Sequence, residues 1–243
     1  RHRFINYDMM ALTNLYPEHI EAHGGFANYK QAKKDIFAYV AQSRRKKNLM
    51  GKYSPKISLI NCESKAAGEF LFFPFDKKIK LVAKTKSSNQ EKSDDDIKSF
   101  FLSDQKTSQA GISFSLNKTN FHSPVLGCHN IQNIALSVLI ALQLDFSLTQ
   151  LQKAVIKLSS PPGRIEFIPQ AKRLGFEVIV DYAFEPTAMA ALYEVVQSFK
   201  PQRIIHVFGS TGGGRDKARR LTVGEFVGKH ADICFITDED PYD

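Results

Sequence analysis

The residues best suited to chemistry fall in a few short stretches. Gly209–Lys217 (GSTGGGRDK) follows an apolar run and carries four glycines. It approaches the phosphate-cradling pattern G-x-x-x-x-G-K-[ST], but Arg215 and Asp216 stand where lysine and a hydroxyl residue belong. The hydroxyl that would hold magnesium is missing, so this is not a Walker A loop. Its glycines still allow close backbone approach, and Arg215 and Lys217 add positive charge that suits a phosphate or a carboxylate. A tight connection from strand to helix would carry the same glycines. Near the N-terminus, Thr13 and Asn14 end an apolar run, and His19, Glu21, His23 and Lys33 follow. Two histidines four apart can share a helical face and bind a metal, or serve only as caps and surface groups. Asn130 and Asn133 lie three apart in the first turn of an apolar segment, so their amides share a face. There they can cap a helix or read the donor–acceptor edge of a base.

The elements that must position these groups follow from periodicity. Ala27–Val40 predicts a helix with Tyr29, Ala32, Ile36, Phe37 and Val40 on one stripe, and Lys33 falls on that stripe while Lys34 points elsewhere. Extended runs are expected at Phe4–Tyr7, Ile57–Asn61, Glu69–Phe75, Ile79–Ala83 and Ile112–Leu116. Lys84–Lys98 is polar and reads as an excursion. Asn130–Leu142 is apolar nearly all round and predicts a buried helix. The next helix opens with Ser147 and Gln150 as a capping box and is expected to bury Leu148, Leu151, Val155 and Leu158. The stretch Ser159–Arg164 (SSPPGR) breaks the pattern and marks a domain boundary.

Beyond it, strands Phe176–Val180, Ile204–Phe208 and Ile233–Thr237 alternate with helices Thr187–Phe199 and Leu221–Lys229. Such alternation means a parallel α/β sheet, which places ligands at the carboxyl ends of its strands. Those ends carry Asp181-Tyr182, Gly209-Ser210 and Asp238-Glu239-Asp240.

The bulk composition agrees with a globular α/β protein. The 243 residues are 43% hydrophobic and 24% charged, and 33 basic against 25 acidic residues leave a formal charge of +8. That balance favours anionic partners or merely a solvated basic face. Nucleic acid is not expected, because no aromatic RNA-binding motif, zinc-finger spacing or basic heptad helix is present. Cys62, Cys128 and Cys234 are too scattered for a disulfide framework or a zinc site, which fits a reducing cytosol. No apolar run reaches the length of a membrane span. The chain starts without methionine, close to the expected strand, and is expected to begin partway through a longer protein.

Taken in order, six segments resemble the Mur ligase family, most closely its tripeptide-synthetase branch. Thr13–Lys33 (TNLYPEHIEAHGGFANYKQAK) resembles T-N-[IL]-x-x-D-H-L-D-x-H…Y-x-x-A-K. Gly127–Ser137 (GCHNIQNIALS) is similar to G-x-x-N-x-x-N-A-L-A, and Pro162–Glu166 (PGRIE) to P-G-R-x-E. Val180–Pro186 (VDYAFEP) resembles V-D-Y-A-H-T-P, Gly209–Arg220 resembles G-x-G-G-D-R-D-K-x-K-R, and Thr237–Asp243 (TDEDPYD) sits where the family has T-x-D-N-P-R.

The resemblance implies an ATP-dependent ligase in the cytoplasm that adds an amino acid to UDP-N-acetylmuramoyl-L-alanyl-D-glutamate for peptidoglycan. ATP first phosphorylates the carboxylate, and the incoming amine attacks the acyl phosphate. His19 would bind magnesium, and Lys33 would be carbamylated, a cation turned into a carboxylate-like group that positions another magnesium. Asn130, Asn133, Arg164 and Asp181 would bind the nucleotide. Thr13, Asn14, Arg215, Asp216, Lys217, Asp238 and Asp240 would bind substrate. The expected fold is an incomplete central ATPase domain (1–160) followed by an incomplete Rossmann-like domain (161–243), inactive alone and monomeric at full length. Phe184 and Glu185 replace the family's His-Thr, and Tyr242 stands in place of an arginine that would grip the distal carboxylate of diaminopimelate. The acidic run from Asp238 to Asp243 instead favours lysine or ornithine. The alternatives are a related ligase of the folylpolyglutamate or cyanophycin type, or a non-catalytic nucleotide-binding module.

Overall fold

A computed structural model of the chain describes residues 5–16, 23–47, 50–63, 66–84, 96–209 and 217–238, with the backbone alone for 217–219. The fold is α/β and divides into two compact units. The first comprises Arg1–Lys106, Ser113–His122 and Asn130–Ile156; the second comprises Thr107–Ile112, Ser123–His129 and Lys157–Asp243.

A six-stranded sheet carries the first unit, in the order β1 (Met9–Leu12), β2 (Ile57–Asn61), β3 (Lys77–Ala83), β4 (Ile97–Ser108), β5 (Gly111–Leu116) and β6 (Thr119–Ser123). The first four strands run parallel, with Leu12 opposite Ile60, Ile57 opposite Lys77 and Lys78 opposite Ile97. Every residue of β2 is buried, as a parallel strand covered on both faces requires. Asn117 and Lys118 join β5 to β6 with φ of 46° and 70°. Two successive left-handed residues match the twist of a tight hairpin, so these two strands are antiparallel.

Helix α1 (Phe26–Gln42) buries Phe37 and Val40 against Leu12, Leu15, Ile60 and Phe70. Each such apolar side chain contributes roughly 1.5–3 kcal/mol on burial. Phe37 and Phe70 meet edge to face at 4.9 Å. Helix α2 (His129–Leu142) buries Ile131, Ile134, Ala135, Leu136, Val138 and Leu139, in keeping with its apolar sequence. Helix α3 (Leu148–Val155) has the expected capping box between Ser147 and Gln150.

In the second unit, β7 (Glu166–Phe167) pairs antiparallel with β8 (Ile179–Val180). Helix α4 (Pro186–Ser198) follows, then β9 (Ile205–Phe208), α5 (Lys217–His230) and β10 (Ile233–Ile236). Strands β9 and β10 are parallel, Ile205 opposite Ile233 and Phe208 opposite Ile236. Met189, Val223 and Val227 form the core under these helices.

Several sequence expectations are corrected. Glu69–Phe75 is not a strand: Ala67–Phe72 is a 3-10 helix. Phe70 within it and Phe73 just after it are three residues apart and reach the same core cluster, and packing overrides strand propensity. The first strand begins at Met9, later than the run at Phe4–Tyr7 suggests. Strands β4 and β6 are additions. Leu148 and Leu158 are each 39% exposed, so α3 buries only Leu151 and Val155. The extended run at Phe176–Val180 shortens to two residues and joins an antiparallel pair. Among the described residues no helix is long and apolar enough to cross a membrane.

Candidate functional site

Because β1 and β2 are parallel, their carboxyl ends leave the sheet side by side, with Thr13 after one and Asn61 ending the other. Asn61 is buried, and its Nδ2 donates to the Thr13 carbonyl at 2.9 Å and to Gln132 Oε1 at 3.4 Å. Its Oδ1 accepts from the Glu63 backbone N–H at 3.3 Å. Gln132 in turn donates to the Glu63 carboxylate. Burial pushes the Glu63 carboxyl above its ordinary value. Gln132 lies between Asn130 and Asn133 in the first turn of α2, where Asn133 Nδ2 donates to Asn130 Oδ1 at 3.3 Å. One buried amide therefore ties the exposed Thr13–Asn14 segment to the turn that carries the paired asparagines. Asn61, Glu63 and Gln132 were not anticipated. The available signal was the polar Asn-Cys-Glu at the carboxyl end of an apolar strand, the end where open parallel sheets bind ligands.

Lys33 is half-buried on α1, and its Nζ lies 5.2 Å from the centroid of the Tyr29 ring, within cation–π range. His23 also meets Tyr29, in a T-shaped contact at 5.3 Å. Asn28 holds the His23 carbonyl with an N–H donated at 2.9 Å. Glu69 pairs with Lys30 at 2.8 Å and also with Lys34. Hydrogen bonds from Lys30 and Lys34 hold the Glu69 carboxyl down to about 2. Lys33 has no carboxylate partner among the described residues.

In the second unit the segment PGRIE is a stapled turn. Glu166 accepts the Gly163 N–H, and Asp181 accepts the N–H groups of Ile165 and Ala183, all at 2.7 Å. The Asp181 carboxylate thus holds Ile165 at a positive φ of 48°. Arg164 stands exposed at the tip, its guanidinium 5.1 Å from the Tyr182 ring centroid, and Tyr182 meets Phe184 edge to face at 5.4 Å. Asp238 is exposed two residues beyond β10, and Gly209 follows the parallel neighbour β9. Lys217 begins α5. His19, Arg215, Asp216 and Asp240 lie outside the described residues.

No three His, Cys, Asp or Glu side chains among the described residues gather as a metal site. A hard cation such as magnesium wants oxygen ligands, and a lysine ammonium offers none. As a carbamate, Lys33 would supply them, so the residue present fits that group.

Residues 1–141 match the Mur ligase middle domain, and residues 163–243 match the Mur ligase, glutamate ligase domain. A UDP-N-acetylmuramoyl-L-alanyl-D-glutamate--2,6-diaminopimelate ligase of Alkaliphilus oremlandii is 31% identical over 239 residues, 97% of this chain and 44% of that protein. A UDP-N-acetylmuramyl-tripeptide synthetase of Borrelia garinii is 28% identical over 242 residues, 98% of this chain and 43% of that protein. The chain thus spans less than half the length of these curated relatives. Among solved structures, MurF from Acinetobacter baumannii superposes with a TM-score of 0.68 at 18% identity, covering 97% of this chain and 48% of that one. At that identity the likeness speaks for the fold alone.

Proposed function

This chain belongs to the Mur ligase family, and from that premise we propose that it forms part of a cytoplasmic, ATP-dependent ligase of peptidoglycan synthesis. Its acceptor would be UDP-N-acetylmuramoyl-L-alanyl-D-glutamate, as the names of its relatives suggest. The observation that supports the reading is Lys33, the amine on α1 that stands over Tyr29 and has no carboxylate partner among the described residues.

The γ-phosphoryl group of ATP passes to a substrate carboxylate, ADP leaves, and the amino group of the incoming amino acid displaces phosphate from the acyl phosphate. Magnesium, when bound, offsets the charge that spreads over the transferring phosphoryl oxygens. His19 would hold one such ion, and Lys33, as a carbamate, would position another. Asn61 fixes the Thr13–Asn14 segment and the first turn of α2, and thereby the placement of Asn130 and Asn133 for the adenine. Arg164, carried over Tyr182, supplies positive charge to the nucleotide, and Asp181 acts by holding the turn that presents it. Arg215 would take the α-carboxylate of the amino acid, with Asp216 and Lys217 in the same substrate-binding loop. Asp238 and Asp240, with Tyr242 in place of arginine, favour a distal ammonium, as in lysine or ornithine.

The test uses the full polypeptide that the gene encodes, supplied with ATP, magnesium and the UDP-muramoyl dipeptide. Phosphate release that depends on lysine or ornithine supports the reading. A clear preference for diaminopimelate overturns the choice of amino acid, and no release with any amino acid overturns the ligase.

A further inference from the structure

We propose that Glu69 is a positioning residue that makes Lys33 the one reactive amine of the Lys30, Lys33 and Lys34 group, by engaging the other two. The inference rests on the reading of Lys33 as the carbamylated lysine, but its geometry is separate. Three amines lie within five residues of one helix, so carbon dioxide meets three chemically identical candidates. Formation of a carbamate joins the lysine nitrogen to the carbon of CO2, and one nitrogen-bound proton is released to water. A nitrogen whose hydrogens point at a carboxylate must leave that contact before it can attack.

The 3-10 helix Ala67–Phe72 delivers that carboxylate. Phe70 is fully buried against Phe37 of α1, which fixes the distance between the two elements at Glu69. From there Glu69 Oε1 takes Lys30 at 2.8 Å and Oε2 takes Lys34. Both carboxylate oxygens are therefore occupied, each by a different lysine. The low pKa of Glu69 agrees, since a carboxylate held by two ammonium groups resists protonation. Lys33 instead stands over the Tyr29 ring, its nitrogen 5.2 Å from the centroid, and meets no carboxylate among the described residues. Ion pairs with this much exposure are modest, so the expected protection of Lys30 and Lys34 is roughly two- to fivefold each.

The experiment maps lysine reactivity in this chain by mass spectrometry, both with carbon-13 bicarbonate, trapped by alkylation, and with acetic anhydride. In the wild type, both labels should favour Lys33 over Lys30 and Lys34. In Glu69→Gln, which keeps the size of an already exposed side chain, labelling should rise roughly two- to fivefold at Lys30 and Lys34. Wild-type protein in about 1 M salt, where the screening length falls to ~3 Å, should move the same way without any substitution. Absence of bicarbonate label at Lys33, with the acetylation pattern as expected, sinks the carbamate reading and leaves the role of Glu69 standing. Equal acetylation of the three lysines in wild type, or no change in Glu69→Gln, overturns the proposal.

Discussion

Asn61 donates its amide to the carbonyl oxygen of Thr13 at 2.9 Å from a position only 3% exposed. The same nitrogen reaches Gln132 Oε1, so one side chain latches the segment after β1 to the first turn of α2. Replacement by alanine removes the hydrogen bonds that this part-buried amide makes, at a net cost of about 0.5–1.5 kcal/mol each. Asn61→Asp should cost at least as much at neutral pH, because an acceptor then faces an acceptor. Urea unfolding followed by circular dichroism measures both. A loss below about 0.5 kcal/mol in each variant would show that the latch does not hold this edge.

Gly111 sits at φ +121°, and a Cβ there would meet Ser123 O at 2.0 Å and Pro124 Cα at 2.7 Å. Both obstacles are backbone atoms, which cannot rotate aside. Gly111→Ala is expected to cost more than the ~1–3 kcal/mol of a strained dihedral alone. Hydrogen exchange should then lose protection first at 107–112 and 123–129. Native protection in both segments would contradict the steric argument.

Much of this molecule was legible in its sequence, and the exceptions share a cause. Helix α1, strand β2 and the Ser147–Gln150 capping box depend on local periodicity or local hydrogen bonds, which a chain writes in its own order. The 3-10 helix at Ala67–Phe72 depends on Phe37, some thirty residues away, so its aromatic run reads locally as a strand. The candidate site divides in the same way. Spacing places Lys33 on a helical stripe and Asn130 and Asn133 on one face, while the roles proposed for them follow from the family resemblance. Asn61 matters only because β1 and β2 are parallel neighbours, and Glu69 only because Phe70 docks it beside α1. The carboxylate of Asp181 is likewise a clamp on Ile165 and Ala183, a role that requires the folded turn.

His206 accepts or donates a 2.8 Å hydrogen bond with Tyr193 OH, and burial lowers its pKa below the ordinary histidine value. A histidine with a depressed folded pKa binds fewer protons when folded than when unfolded. Its neutral form thus contributes stability that is complete above the unfolded pKa near ~6.5 and declines as pH falls through the folded pKa. Stability of the wild-type chain should drop on acidification below about pH 6.5, and His206→Gln should flatten that slope while lowering stability at neutral pH. Identical pH slopes in the two proteins would remove His206 as the titrating group.

Lys33→Ala is expected to abolish ligation in the full polypeptide that the gene encodes while sparing the fold. The side chain is half-buried, and its partner among the described residues is the Tyr29 ring, a contact worth roughly 0.5–1 kcal/mol at such exposure. Loss of that contact cannot unfold α1, whose anchors are Phe37 and Val40. The reaction is affected far more. Without the proposed carbamate oxygens, an ion that offsets phosphoryl charge would be mispositioned, and loss of a preorganised electrostatic partner costs about 10²–10³-fold in rate. A short carboxylic acid that fills the space left by the side chain should restore part of the activity, since oxygen ligands are what is missing. His19→Ala should show no such rescue, because there the missing ligand is an imidazole nitrogen. Circular dichroism controls for folding, and phosphate release with and without formate or acetate reads the outcome. Wild-type turnover in Lys33→Ala, or equal rescue of both variants, would mean that Lys33 does not act as a carbamate.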